Sequence, residues 1–307
     1  MFTSVLSRIG IIFIILLVGT LARWRRVLTE ETASGLCRVA IEITLPFLYF
    51  YTLSTNLNLH IFSSNLVLPL YAILLTFASY FLSRIASFYL KLDLRQAGTF
   101  KFLLTFSNYG FLAIPLVFAL FGRAGLVRVF IFNLGITFLY WTFGIAILSA
   151  PKTAPLKLFK NLLNNATVAL VLGLIAGIIS LKLPRFIMEA SNLIGNATIP
   201  LALIVVGSML ARNNYKRGAS FKIIFTLAFC RLIIMPVLAI LFINIFDNLP
   251  NMLKVIIVLQ AAMPSASTTP ILVKRFGGDA ELAASGVFFT TLFSIITVPF
   301  FISLVLQ

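Results

Sequence analysis

Two apolar stretches of the chain are each interrupted by prolines within a run of small and polar residues. Residues 107–115 read SNYGFLAIP and end at Pro115, and residues 263–270 read MPSASTTP, with Pro264 and Pro270. A proline inside a membrane helix leaves the carbonyl four residues earlier without a donor, and hydrocarbon offers that carbonyl no other partner. Breaks at corresponding places in two halves of a chain are typical of the binding site of a secondary transporter.

The groups beside these breaks could bind an ion or a polar solute. Asn108 and Gln260 carry amides that both donate and accept, so they suit a carboxylate or a metal ion equally. The N-termini of half-helices attract anions, whereas their C-terminal carbonyls can coordinate a cation. A lone membrane proline is more often only a kink, but this matched pair favours a site. The predicted substrate-binding residues are Asn108, Tyr109, Gly110, Pro115, Pro264, Ser265, Ser267, Thr268 and Pro270.

Four further residues are candidates for an ion-binding or electrostatic role: Gln260, Thr269, Glu42 and Arg231. Glu42 lies four residues after Arg38, which predicts an ion pair on one helix face; the alternative makes Glu42 a proton or cation coupling group. Arg231 lies near the middle of an apolar span, where an arginine is costly to insert. It could neutralise Glu42, bind freed carbonyls, or set an attractive potential for an anionic substrate.

The composition excludes an ordinary soluble domain, because the mean hydropathy is +1.08 and only 10% of residues are charged. At roughly 20 residues per span, the chain has room for about ten membrane helices. The net charge of +16 comes from basic residues between apolar runs, which favours positive-inside loops over a nucleic-acid partner. One histidine and two cysteines argue against a zinc or haem site. No catalytic constellation or phosphate loop is visible, so we expect neither an enzyme nor a cofactor.

The apolar pattern predicts ten transmembrane spans in an all-α integral membrane protein. They cover residues 3–22, 36–55, 65–90, 99–121, 126–148, 164–181, 188–210, 220–246, 252–274 and 281–306. A hydrophilic connector, residues 150–165, joins the halves 1–149 and 166–307. With the N-terminus outside, 16 lysines and arginines fall in cytoplasmic loops and 6 in outer loops, so we predict a multi-pass protein of the cell (inner) membrane with both termini extracytoplasmic.

Landmarks recur between the two halves at nearly constant spacing. Residues 16–19 (LLVG) correspond to residues 170–173 (LVLG), and residues 44–46 (TLP) correspond to residues 198–200 (TIP), both at a shift of 154. The prolines that close the two broken runs are shifted by 155. Five is an odd number of spans, so the second half must enter the membrane from the opposite side, which predicts two inverted five-helix repeats. A purely architectural recurrence of small residues and prolines is the alternative.

Other residues support several interpretations. Tyr140 and Asn133 could line a cavity, although each on its own is more typical of an interhelical hydrogen bond. The pattern Gly173-x-x-x-Gly177 allows close helix approach, either within the protomer or in a dimer.

The chain resembles the auxin efflux carrier family over nearly its whole length and in the same order. The motifs that carry the resemblance are Leu17–Gly19, Thr44–Pro46, Ser107–Leu116, Arg231-Leu232 with Pro236, Met263-Pro264 and Phe276–Asp279. That family includes plant auxin exporters and bacterial malate and malonate permeases. The resemblance implies a ten-helix fold shared with bile-acid symporters and sodium/proton antiporters, in which broken helices 4 and 9 cross.

By the family's pattern, Asn108 and Pro115 match the crossover in helix 4, and Pro264 and Pro270 match it in helix 9. The resemblance also implies a small organic anion as substrate, moved by an elevator-like shift of a core domain. The chain departs from the plant members in its short central connector. It also has Tyr109 where relatives often have a small residue, so we expect a narrower or differently gated pocket.

The functional hypothesis is a secondary carrier of a mono- or dicarboxylate, auxin-like or malate/malonate-like. It leaves open uniport and coupling to sodium or protons. One alternative is a sodium-coupled symporter of a neutral or sterol-like solute, and another is a non-transporting ligand-binding sensor. The expected partners are the bilayer, the small anion and, from the resemblance, a second copy of the chain in a homodimer.

Overall fold

The structure, a computed structural model, describes residues 2–148, 162–211, 220–245 and 249–306, with side chains from residue 10 onward. In these ranges the regular secondary structure is helical, apart from one isolated antiparallel bridge. The helices are α1 (Phe2–Trp24), α2 (Glu30–Val39), α3 (Leu45–Asn56), α4 (Leu59–Ser64), α5 (Val67–Tyr89), α6 (Leu94–Thr105), α7 (Ala113–Leu139), α8 (Ile145–Leu148), α9 (Asn165–Ile178), α10 (Arg185–Asn196), α11 (Thr198–Leu210), α12 (Phe221–Phe229), α13 (Met235–Asn244), α14 (Asn251–Ala262), α15 (Thr269–Arg275) and α16 (Ala280–Val305).

Several helical stretches are long and apolar enough to cross a membrane. Within the described ranges six qualify, namely Glu30–Asn56, Leu59–Tyr89, Ala113–Leu148, Arg185–Leu210, Phe221–Asn244 and Ala280–Val305. Shorter apolar helices cover Gly10–Trp24, Asn165–Ile178 and Asn251–Ala262. The prediction of an all-α, multi-pass membrane protein is therefore confirmed. Most of the predicted connector at 150–165 lies outside the described residues.

Helix ends differ from the predicted spans where capping groups or prolines intervene. α2 and α6 begin six and five residues before the predicted positions, because polar first turns escape a hydropathy pattern. Asp93 caps α6 by accepting a hydrogen bond from Gln96 N at 2.9 Å, and Thr29 caps α2 by accepting one from Thr32 N at 3.1 Å. The predicted seventh span is two helices, α10 and α11, with Pro200 in the first turn of the second.

Three π-helical turns interrupt the long helices, at Ala40–Thr44, Tyr140–Gly144 and Cys230–Ile234. The first and third end two residues before Pro46 and Pro236, each of which lacks the amide that an α-helical ladder needs. π-helical turns are rare and occur frequently at functional sites. The third contains the buried arginine of the predicted eighth span.

The chain packs as two compact units, each built from three stretches of sequence. Unit 1 takes its described residues from Met1–Pro69, Ile114–Thr137 and Lys160–Arg212. Unit 2 takes its described residues from Leu70–Ala113, Phe138–Phe159 and Asn213–Gln307. Each unit therefore contains segments from both halves of the chain.

Glycines allow helix pairs of unit 1 to pack with their backbones in contact. A Cβ atom on Gly207 would overlap the carbonyl oxygen of Leu16, so α1 and α11 lie at the closest approach that two helices allow. α9 packs on α3 in the same way, and a Cβ atom on Gly177 would lie 2.5 Å from the carbonyl oxygen of Leu53. Gly173 faces the same helix, so this small-residue pattern serves packing within the protomer.

Replacing Gly207 with alanine should destabilise the protein, because the obstructing atom is a backbone carbonyl that cannot rotate away. We expect a cost of about 1–3 kcal/mol, typical of overpacking, measured as a lower melting temperature in detergent. Gly35→Ala is the matched control, since a Cβ atom there meets nothing within 4 Å and alanine favours the helix. Equal melting temperatures for the two variants would contradict the close packing of α1 on α11.

Candidate functional site

Both predicted helix breaks are present, and both lie in unit 2. The chain is not helical at residues 106–112, between α6 and α7, or at residues 263–268, between α14 and α15. We name these two stretches the crossing segments. They pair antiparallel through a bridge between Ser107 and Ser265. The sequence therefore predicted correctly that each broken helix leaves two half-helices.

Backbone hydrogen bonds hold the crossing segments together. Asn108 N donates to Pro264 O at 2.7 Å, and Ala266 N donates to Phe106 O at 3.0 Å. Each segment thus supplies some of the partners that the other lost when its helix broke, which meets the demand that buried backbone groups be paired. The two breaks are in this way a single structural feature.

The prolines set where the half-helices end and begin. Met263 is extended (φ −62°, ψ 142°), as expected of a residue that precedes proline. Pro270 lies at the start of α15, and Pro115 is the third residue of α7, in the first turn, where a missing amide costs nothing. Pro115 belongs to the part of α7 that packs in unit 1.

Arg231 binds the carbonyl groups at the C-terminal ends of two half-helices. Its Nε donates to Met263 O at 2.9 Å and its Nη1 to Leu104 O at 3.0 Å. Its Nη2 donates to Ala261 O at 2.9 Å and approaches Gln260 O at 3.4 Å. The side chain is buried, with 2% exposure. Of the three roles that the sequence left open, carbonyl binding is the one that the structure shows.

This contact supplies hydrogen-bond donors to carbonyls that the helix breaks leave without intrahelical partners. The last carbonyls of any helix lack intrahelical donors, and they carry the negative end of the helix dipole. Pro264 has no amide to offer Gln260 O, and this carbonyl is among those that Arg231 reaches. A planar fork with five donors suits a task that spans two helices.

Ser265 is held by groups from two other elements. Its Oγ donates to Leu103 O at 2.8 Å, and its amide donates to the Oγ1 of Thr290 at 3.2 Å. Thr290 lies in α16, and its own hydroxyl donates to Gly286 O at 2.7 Å. Sequence reasoning missed Thr290, because α16 carries several serines and threonines and nothing in the sequence marks the one that has a distant partner.

Tyr140, the first residue of the π-helical turn that follows α7, packs against the crossing segments. Its hydroxyl shares a hydrogen bond of 2.8 Å with Thr268 Oγ1. Its ring meets those of Phe106, Phe102 and Tyr109 edge-on, at centroid distances of 5.1, 5.4 and 5.8 Å. The hydrogen bond expected of Tyr140 is therefore present, although its partner Thr268 is a predicted site residue in a crossing segment rather than in a helix.

Several polar atoms at the crossing are buried without a hydrogen-bond partner among the described residues. Asn108 caps the following turn by accepting from Phe111 N at 3.1 Å, but its Nδ2 donor has no partner. Both amide atoms of Gln260 and the hydroxyls of Thr105 and Thr269 also lack a hydrogen-bond partner among the described residues. Asn108 and Gln260 are each 2% exposed. Buried polar groups are rarely left unsatisfied, so these atoms remain available for hydrogen bonds to a ligand.

The remaining predicted residues are placed as follows. Tyr109 and Gly110 are half-buried within the first crossing segment, and a Cβ atom on Gly110 would meet nothing within 4 Å. Ser267 is buried in the second crossing segment. Together with the residues described above, every predicted substrate-binding residue except Pro115 therefore lies in unit 2. Their binding role stays a prediction.

Glu42, the remaining candidate for an electrostatic role, lies in unit 1. Arg38 Nε donates to Glu42 Oε1 at 3.0 Å, so the predicted ion pair is confirmed. The two side chains are 77% and 50% exposed, and pairs of this kind contribute little to stability.

Comparison with known proteins gives the same class for nearly the whole chain. A family model described as membrane transport protein matches residues 4–157 and 150–302. An uncharacterized transporter of Methanocaldococcus jannaschii is 27% identical over 294 residues, which is 94% of each chain. An uncharacterized transporter of Methanothermobacter thermautotrophicus is 26% identical over 294 residues, with the same coverage.

A plant protein matches a shorter region. Protein PIN-LIKES 2 of Arabidopsis thaliana is 23% identical over 158 residues, which is 47% of this chain and 35% of the plant protein. The family and these relatives are transporters rather than enzymes. The chain therefore belongs to the membrane transport protein family, of the auxin efflux carrier type.

Proposed function

We propose that the protein is a secondary carrier of a small organic anion, and that the crossing segments of unit 2 form its substrate site. One observation carries this proposal: the buried Nδ2 of Asn108 and the buried amide of Gln260, which have no partner among the described residues, lie beside the two helix ends whose carbonyls bind the buried Arg231. Amide donors that lack a protein partner can donate to a carboxylate. The nearby guanidinium makes an anion the favoured ligand.

The charge of Arg231 is not neutralised by a carboxylate among the described residues of unit 2. Those residues include three acids, Asp93, Asp279 and Glu281. The two aspartates accept hydrogen bonds from backbone amides at the starts of α6 and α16, and Glu281 follows in the first turn of α16. Arg231 itself contacts only carbonyls, so no acid among these residues balances its formal charge, and this favours an anion as the ligand.

An inverted duplication is part of the proposal, with repeats 1–149 and 166–307 giving ten transmembrane helices. The packing within unit 1 supports it, because contacts recur with the two halves exchanged. Gly19 meets the backbone of Ile204, and Gly173, its counterpart at a shift of 154, meets the backbone of Phe50, which is the counterpart of Ile204 at the same shift.

A hydrogen bond between two corresponding residues supports the same duplication. Thr44 and Thr198 are separated by the repeat shift of 154, and Thr198 Oγ1 donates to Thr44 Oγ1 at 2.9 Å. A residue that touches its own counterpart lies on the two-fold axis that relates the repeats. In a chain of two inverted repeats, that axis lies in the membrane plane.

The proposed mechanism is alternating access of the elevator type, as the family resemblance implies. Unit 2 is compact and contains both crossing segments, so its movement would carry the substrate site as a body. The excess of basic residues in one set of loops supports a cell-membrane protein with both termini outside.

Replacing Asn108 with aspartate tests the site while keeping the local fold. Either side chain can accept the hydrogen bond from Phe111 N, but the replacement puts a negative oxygen where the free Nδ2 donor stands. We expect uptake by proteoliposomes to fall at least about tenfold, because a hydrogen bond to a charged group contributes about 1.5–3 kcal/mol. The measurement is uptake of radiolabelled acetate, lactate, malonate and malate, each tested separately.

Asn58→Asp is the matched control, since Asn58 caps α4 through an equivalent bond to Ile61 N at 2.8 Å but is exposed in unit 1. It should transport like the wild type. Unchanged uptake by Asn108→Asp would contradict the site. Saturable binding by the wild type without uptake of any probe would contradict the carrier function and favour a sensor.

A further inference from the structure

The carbonyl oxygens around Arg231 form a set of ligands that could otherwise hold a metal cation. Leu104 O belongs to the last turn of α6, Gln260 O and Ala261 O to the last turn of α14, and Met263 O follows directly. Carriers with broken helices use such C-terminal carbonyls to coordinate sodium or protons. In this chain the guanidinium donates to them at 2.9–3.4 Å.

We propose that Arg231 is a resident cation that takes the position of a coupling ion, so that the protein binds a monocarboxylate without sodium. This inference rests on the proposed function and specifies its substrate charge and its coupling. An arginine stays charged in proteins, so the carbonyls are permanently occupied by one positive charge.

The helix around residue 231 has an irregular geometry that directs the side chain of Arg231 toward the carbonyls. Arg231 is the second residue of the π-helical turn Cys230–Ile234, in which Met235 N donates to Cys230 O across the wider ring. Pro236 follows two residues after the turn and removes a further amide from the ladder. π-helical turns occur frequently at functional sites, and this one places Arg231 against the four carbonyls.

The charge of the ligand follows from the same contacts. With no carboxylate paired with Arg231 in the described part of unit 2, a substrate with one negative charge balances the formal charge of the guanidinium. A dicarboxylate would add an uncompensated charge inside the membrane, which is costly. We therefore expect monocarboxylates to bind at least about tenfold more tightly than dicarboxylates of similar size, since each tenfold needs only about 1.4 kcal/mol.

The experiment compares sodium with potassium in purified protein. Melting temperatures of the wild type and of Arg231→Lys should be equal in NaCl and KCl of equal concentration, because a side-chain cation is present in both proteins. Arg231→Ala exposes the four carbonyls, so sodium should raise its melting temperature more than potassium does. A purely structural arginine would lower stability on removal without creating this difference between the two ions.

Arg123→Ala is the control for arginine loss in general. Arg123 also binds neutral oxygens, but they are side-chain atoms in unit 1: its Nη2 donates to Asn192 Oδ1 at 2.7 Å and to Asn196 Oδ1 at 3.1 Å. Its removal should destabilise the protein equally in both salts. A sodium response in this control would show a general salt effect and overturn the assignment to the carbonyls.

Binding measurements by calorimetry keep the inference testable even if Arg231→Ala does not fold. Wild-type protein titrated with lactate or malonate, in sodium and in potassium, should favour lactate and show no ion preference. Carboxylate binding that requires sodium, or that favours malonate, would overturn the inference and leave the anion carrier intact. No binding of any carboxylate in either salt would overturn the proposed function as well.

Discussion

The contact of Arg231 with the carbonyls of two broken helices is the interaction on which the rest of unit 2 depends. Breaking a helix inside a membrane leaves carbonyls that neither water nor lipid can satisfy. Here four of them receive hydrogen bonds from one guanidinium, and the crossing segments satisfy further groups by pairing with each other. The backbone at the breaks therefore needs no ligand to satisfy its hydrogen bonds. Side-chain donors such as Asn108 Nδ2 remain available to bind a ligand.

The two units are stabilised by different kinds of residue. In unit 1, glycines allow the backbones of α1 and α11, and those of α3 and α9, to come into contact. Such close van der Waals packing stabilises helix pairs in lipid, where no hydrophobic driving force acts between helices. Unit 2 instead places a buried arginine beside irregular backbone, and ionisable residues inside a membrane protein are typically functional. This contrast makes unit 2 the part of the chain where ligand binding is expected.

The sequence was sufficient to predict features that rest on local chemistry. The prolines predicted both helix breaks, and the four-residue spacing of Arg38 and Glu42 predicted their ion pair. The sequence was not sufficient for residues whose partners are distant in the chain. Three roles remained open for Arg231, and nothing marked Thr290, because the contacts of both are made to other elements. The early starts of α2 and α6 were missed because capping, rather than hydropathy, determines them.

The most direct measurement of an anion site at the crossing is the rate of chemical labelling at Ser267, a buried residue of the second crossing segment. Ser267→Cys would be made in protein whose free Cys37 and Cys230 are replaced by alanine. It would then be treated with a negatively charged methanethiosulfonate reagent or with a positively charged one of similar size. The charge of Arg231 predicts that the negative reagent reacts faster than the positive one, once each rate is divided by that reagent's rate with a free thiol in solution, and that a bound carboxylate protects the cysteine. A faster normalised reaction with the positive reagent, or no protection by any carboxylate that the carrier transports, would contradict an anion site at the crossing.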